Sequence, residues 1–312
     1  MLKKQGKKKM KTTWSLTIGN GGENHTGMEF LGKRRQRGEG WDIDRLLAAK
    51  DILENIFGKK VEVFNLNELC LGEVEIPEQK RPKDAYLMVV RNFLTKEVHE
   101  NFKKELSSYE WDRKYFDTRR QKVLNKHARA NVCYGKTGRA SDFENKKGTI
   151  IGFDQSPLVE RLLRVVEILM NDKDLIVEGN QYDDVDKNGI GPHGDTERVL
   201  VACLRVGEAM TMKFGMFNDC LMKGKSFKTI INGGDLYFMS EEAVGAEWKH
   251  RSKWTWRHAA GAKKYLKMKG EVEKDTPKQL GKTPEKTPQK TQEKIKFKKM
   301  KKTKTKMKKQ KL

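Results

Sequence analysis

The sequence predicts an α+β fold. The expectation is a double-stranded β-helix, or jelly-roll, core flanked by helices. A small N-terminal α/β module and a disordered basic C-terminal tail complete it. Three observations point there. Amphipathic helical repeats come first, and short strands separated by glycine turns run from Leu175 to Met268. Apolar residues are only 36% of the 312, below the globular norm of about 45–50%, so part of the chain builds no core. The net charge of +23 is uneven: residues 1–12 carry +6 and residues 271–312 carry +11, leaving +6 for residues 13–270.

The elements follow in order. Residues 1–12 hold six lysines and no acid, a basic disordered N-terminus. Residues 13–70 read as the α/β module, of unknown role. Residues 13–18 alternate as a strand, and Asn20-Gly21-Gly22 forms a turn. Residues 41–57 place Leu46, Leu47, Ala49, Ile52, Leu53 and Ile56 at a helical period, with Asp42 or Asp44 as N-cap. Residues 61–64 form a short strand. Residues 71–84 are charged, carry Pro77 and Pro82, and read as a linker.

Residues 85–270 form the main domain. A strand spans 85–90. Thr95 starts an amphipathic helix to residue 106. A second helix spans 157–171, its buried face marked by Leu158, Leu162, Leu163, Val166, Ile168 and Leu169. Strands follow at 175–178, 199–206, 211–217, 226–231, 236–239 and 253–258, with a last one at 263–268.

The tail, residues 271–312, holds 16 lysines, 5 acids and one phenylalanine. It cannot bury enough apolar surface to offset chain entropy, so it reads as disordered. A lysine run attracts polyanions by counterion release, and nucleic acid is the expected partner. Thr276, Thr283 and Thr287 each precede proline, as in linker-histone tails, and could be phosphorylated. The plainer reading is a solubility or import tail. No stretch approaches about 18 uncharged apolar residues, which excludes a membrane span. No apolar region follows the basic start, so no secretory signal is read. Cys70, Cys133, Cys203 and Cys220 are widely spaced without a CxxC pair. Reduced thiols in a nuclear or cytoplasmic protein fit better than a disulfide framework or a structural zinc site.

The chemistry centres on His193-Gly194-Asp195. Two residues apart in extended chain, the imidazole and the carboxylate share a face. One further histidine from a later strand completes a 2-His-1-carboxylate triad, which holds Fe(II) and leaves positions open for a chelating cosubstrate and O2. His250 and His258 are the candidates. Ser252, Trp254, Trp256 and His258 share a strand face, which favours His258.

Four stretches across about residues 85–268 resemble the AlkB-like group of Fe(II)- and 2-oxoglutarate-dependent dioxygenases. Residues 178–182, Glu-Gly-Asn-Gln-Tyr, precede His-Gly-Asp as that group's Asn-x-Tyr precedes His-x-Asp. Residues 233–239, Gly-Gly-Asp-Leu-Tyr-Phe-Met, are similar to its Gly-Asp-apolar strand. Residues 255–261, Thr-Trp-Arg-His-Ala-Ala-Gly, are similar to its Thr-aromatic-Arg. Residues 125–135 look like its substrate-side loop. The resemblance implies that His193, Asp195 and His258 hold iron and that Asn180 and Tyr182 bind 2-oxoglutarate. Arg257 or Lys264 would pair with the distal carboxylate. The chain departs from the pattern at the distal histidine: His250 precedes Arg257 by only seven residues and His258 follows it directly. If His258 is the ligand, Arg257 points away from it and Lys264 gains.

The implied activity hydroxylates, or oxidatively demethylates, a substrate, with nucleic acid foremost. The 122–136 loop is the expected substrate lid. A protein or small-molecule hydroxylase of the same fold is one alternative. A non-catalytic, chromatin-like nucleic-acid binder with a metal-free β-core is another. Asp184-x-Asp186-x-Asn188-Gly189 matches half of an EF-hand loop, but its twelfth position is Asp195 rather than glutamate, so calcium is not expected. His127 reads as either a phosphate contact or a surface residue. His25 and His99 read as structural, and Trp248, Trp254 and Trp256 as core.

Overall fold

The structure is a computed structural model that describes residues 11–271. The disorder expected over residues 1–12 and 271–312 lies, except for residues 11, 12 and 271, outside the described residues. Along the chain run β1 (Thr13–Gly19), β2 (Gly21–Glu23), β3 (Phe30–Gly32), α1 (Ile43–Asn55), β4 (Lys60–Asn65), α2 (Leu66–Cys70), β5 (Tyr86–Arg91), α3 (Lys96–Leu106), β6 (Lys114–Asp117), β7 (Lys122–Asn125), β8 (Ala130–Gly135), β9 (Ile150–Gly152) and α4 (Pro157–Leu169). Then come β10 (Ile176–Tyr182), β11 (Gly189–His193), β12 (Val201–Gly207), β13 (Met210–Asn218), β14 (Leu221–Ile231), β15 (Leu236–Met239), α5 (Glu241–Val244) and β16 (Thr255–Gly261).

The helices start where local chemistry directs. The Asp42 carboxylate accepts from the Arg45 amide and caps α1, which buries Leu46, Ala49 and Leu53. Thr95 caps α3 through the Val98 amide. Pro157 opens α4, which buries Val159, Leu162, Leu163, Val166 and Leu169. Ile168, expected on that buried face, is 77% exposed.

Most strands fall into two antiparallel-dominated sheets that pack as a β-rich sandwich, with no closed barrel. One sheet has eight strands in the order β4-β5-β15-β12-β1-β10-β8-β9, and the other has four in the order β11-β16-β13-β14. Strand alternation then divides the residues. Trp14, Leu16 and Ile18 of β1, with Ala202, Leu204 and Val206 of β12, join the core beneath α1, α3 and α4. The opposite face of the eight-stranded sheet meets the smaller sheet. There Leu87, Val89, Val201 and Met239 pack against Met212, Phe214, Met216 and Trp256.

Four expectations are corrected. The 13–70 segment is not a separate module: β1 lies in the middle of the large sheet, paired with β10 and β12, and β4 extends the same sheet through β5. The 71–84 segment is then a connection inside one unit, with Val74 and Ile76 packed on the intersheet core. The closing strand at 263–268 does not form. The chain leaves β16 at Gly261, whose φ of +114° suits glycine, and turns, burying Met268 against Phe217 and Met222. Residues 130–135, expected within the lid, are the buried strand β8. Among the described residues no helix is long and apolar enough to cross a membrane.

Because β1 supplies two ladders to the large sheet, residues 85–271 alone are expected to lack a cooperative thermal transition, whereas residues 11–271 melt cooperatively. Calorimetry of the two fragments checks this. Cooperative melting of the shorter one would restore the two-module reading.

Candidate metal centre

The antiparallel pairing of β11 with β16 sets His193 directly opposite His258. Their rings lie 4.5 Å apart between centroids. Asp195 follows after a tight passage at Gly194, where a Cβ would fall 2.0 Å from the Gly245 carbonyl oxygen, so only glycine fits between His193 and Asp195. The Asp195 amide donates to the Val244 carbonyl at 3.2 Å, which fixes the backbone behind the carboxylate.

Asp195 Oδ1 lies 3.6 Å from His193 Nε2 and 3.8 Å from His258 Nε2, and one donor atom from each residue lies within 4.8 Å of the others. His193 Nδ1 sits 2.8 Å from the Gly191 carbonyl and donates to it, which leaves the Nε2 lone pair free. Burial, with the neighbouring His193, pushes His258 well below the usual imidazole range. It is therefore neutral and able to donate to a cation. Two imidazole nitrogens and one carboxylate oxygen form a donor set suited to Fe(II). His250 does not join it: its side chain is 65% exposed and pairs with Glu247 at 3.7 Å.

The triad opens on a cavity of about 560 Å³ between the sheets. Ser15, Thr17, Glu178, Asn180, Tyr182, Arg205 and Tyr237 line it from the large sheet. Burial pushes the Tyr182 and Tyr237 phenols up, so both remain neutral hydroxyls. The Asn180 amide is engaged by the protein at both ends. Its oxygen accepts from Arg129 Nε at 2.7 Å and from Asn131, and its nitrogen donates to Glu178 at 3.2 Å.

The two expected carboxylate partners are not in the cavity. Arg257 neighbours His258 in β16 and therefore faces the other way. It donates to the Trp248 carbonyl at 3.1 Å and stacks on Phe217 and Trp248. Lys264 is exposed beside Tyr265, because the strand meant to carry it is absent. Among the cations that line the cavity, which include Arg129, Arg198 and Lys249, Arg205 of β12 is only 1% exposed. Its Nη1 donates to Ser15 Oγ at 2.7 Å, its Nε has no partner, and no carboxylate pairs with it among the described residues. The available signal was a lone arginine inside the apolar run 199–206.

No protein-family model matches the chain. An uncharacterized protein of Acanthamoeba polyphaga mimivirus is 34% identical over 261 residues, which is 83% of this chain and 99% of the viral one. The chain belongs to the same family as that viral protein. The family likeness thus spans nearly all of the viral chain.

The remaining candidates settle as follows. His127 is exposed and His99 accepts from the Gly207 amide at 2.8 Å. Trp256 is core, while Trp248 lines the cavity. The acidic turn is tied by Lys11–Asp186 and Lys187–Asp184 ion pairs. His25 stacks on Tyr115 with centroids 3.7 Å apart. Burial lowers His25 to about 4.

Unfolded His25 takes up a proton near pH 6.5 and folded His25 only near 4, so its share of stability is complete above 6.5 and lost as pH falls from 6.5 to 4. In urea melts at pH 7.5 and pH 5, His25→Gln is expected to lose less stability on acidification than the parent. An equal loss would remove this group from the pH response.

Proposed function

We propose that the chain is a nonheme Fe(II)- and 2-oxoglutarate-dependent dioxygenase of AlkB-like type, built on a jelly-roll core and acting on nucleic acid. The observation that carries the reading is one cavity holding two complementary halves. At one end, His193, Asp195 and His258 present three donors. In the same cavity stands Arg205, a buried guanidinium without a counter-ion. A buried charge without a partner is costly. A dicarboxylate resolves that cost by pairing its distal carboxylate with Arg205, a charge-assisted contact. Ser15 holds the guanidinium in place, and the neutral Tyr182 and Tyr237 hydroxyls are further donors to the same anion.

Bound iron would supply the oxidative chemistry: 2-oxoglutarate and O2 become succinate and CO2 while one oxygen atom enters a substrate C–H bond. The chain's own residues bind the cosubstrate at its far end, orient the donors and exclude water between two apolar sheets.

Charge supports a polyanionic substrate. Residues 113–147 hold 11 basic and 3 acidic side chains, whereas the rest of 13–270 holds 33 basic and 35 acidic. This basic segment includes the β6–β7 hairpin, with Arg119, Arg120 and Lys122 exposed, and Arg129 reaches the cavity. The folded domain thus carries a basic surface of its own, apart from the lysine tail.

Two outcomes test the reading. With Fe(II), 2-oxoglutarate and a methylated single-stranded oligonucleotide, succinate should form. His193→Ala and His258→Ala should abolish it and His250→Ala retain it, while Arg205→Met should raise KM for 2-oxoglutarate at least about tenfold and Arg257→Met leave it near the parent value. No succinate from the parent, or an Arg257 effect without an Arg205 effect, contradicts the assignment. Glutamine at Arg119, Arg120 and Lys122 should weaken oligonucleotide binding and flatten its salt dependence by about 0.7 per lost phosphate contact.

A further inference from the structure

Arg198 lies three residues beyond Asp195, in the connection from β11 to β12, and is only 5% exposed. The Asn20 carboxamide oxygen fixes that connection, accepting from the Val199 and Leu200 amides at 2.9 and 3.2 Å. Three carboxylates surround the guanidinium. Nη2 donates to Glu178 Oε2 at 2.5 Å and to Glu197 Oε1 at 3.0 Å. Nε stands 3.6 Å from Asp195 Oδ2 and has no hydrogen-bond partner.

Asp195 therefore divides its two oxygens. Oδ1 faces the Nε2 atoms of His193 and His258. Oδ2 faces Arg198. A carboxylate with both oxygens free can grip a cation with one or with both.

We propose that Arg198 is a positioning residue that keeps Asp195 Oδ2 away from the metal, so that the carboxylate offers Oδ1 alone. This rests on the metal reading above. One-oxygen ligation preserves an open position for the cosubstrate or O2. Glu178 anchors Arg198 from its other side, and Asn180 joins Glu178 to Arg129. The metal ligand is thus the inner end of a polar chain whose outer member belongs to the basic segment 113–147.

Mn(II) is the probe, since it accepts the same donors. Binding is read by calorimetry, and the metal environment by electron paramagnetic resonance. Arg198→Met is expected to weaken Mn(II) about 10–100-fold and to alter the resonance. That change leaves Glu178 buried without a counter-charge, so folding is protected by a second variant, Arg198→Met with Glu178→Gln. The double variant should melt cooperatively and still bind Mn(II) weakly. Arg198→Lys keeps the charge but lacks the planar guanidinium that faces Asp195 while bonding Glu178 and Glu197, and should weaken Mn(II) about tenfold. Folded variants with the parent's affinity and spectrum overturn the proposal alone. A parent that binds no Mn(II) overturns the metal reading and this proposal with it.

Discussion

Charged side chains are held between two apolar sheets, and the rest of the structure answers to that constraint. Asp195, Glu178, Arg198 and Arg205 all occupy the gap between the sheets or its edge. Removing one partner from a buried pair costs about 3–5 kcal/mol. Arg198 is matched by Glu178, but among the described residues the Arg205 guanidinium is met by the Ser15 hydroxyl and by no carboxylate. The large sheet can carry these groups because its other face is apolar without interruption at β1 and β12 and sealed by α1, α3 and α4. Residues in register across it, Asn180, Ser15 and Arg205, form one polar row.

The three long helices α1, α3 and α4 were legible because their signals are local. Asp42, Thr95 and Pro157 mark helix starts within one turn of the residues they serve. The place of β1 was not legible. Its strand pattern was plain, but its partners lie more than 150 residues away, in β10 and β12, and nothing local names them. Residues 130–135 were mistaken for loop for a similar reason. Their burial comes from pairing with β10, not from periodicity. The absent closing strand shows the reverse error: a plausible strand stretch follows Gly261, but its Leu266 carbonyl accepts from Lys213 Nζ at 3.0 Å and no strand forms there.

At the site, His193, Asp195 and His258 were legible from spacing and strand parity together. Parity also argued against Arg257, since neighbours in a strand face opposite ways. Arg205, which takes that role in the proposed reading, was hidden by an apolar strand in which one charge resembles noise. Arg198 was hidden because its meaning lies in which oxygen of Asp195 it faces.

The +23 charge divides into parts with different meaning. The terminal lysines lie outside the described residues, the β6–β7 region carries the folded domain's excess, and two buried arginines serve the cavity. The account turns on the last group. A crystal structure grown anaerobically with Mn(II) and 2-oxoglutarate tests it most directly. The expected result is a metal about 2.0–2.3 Å from His193 Nε2, Asp195 Oδ1 and His258 Nε2, with the distal carboxylate on Arg205. A metal bound elsewhere, or a dicarboxylate held by Arg257 or Lys264, would contradict it.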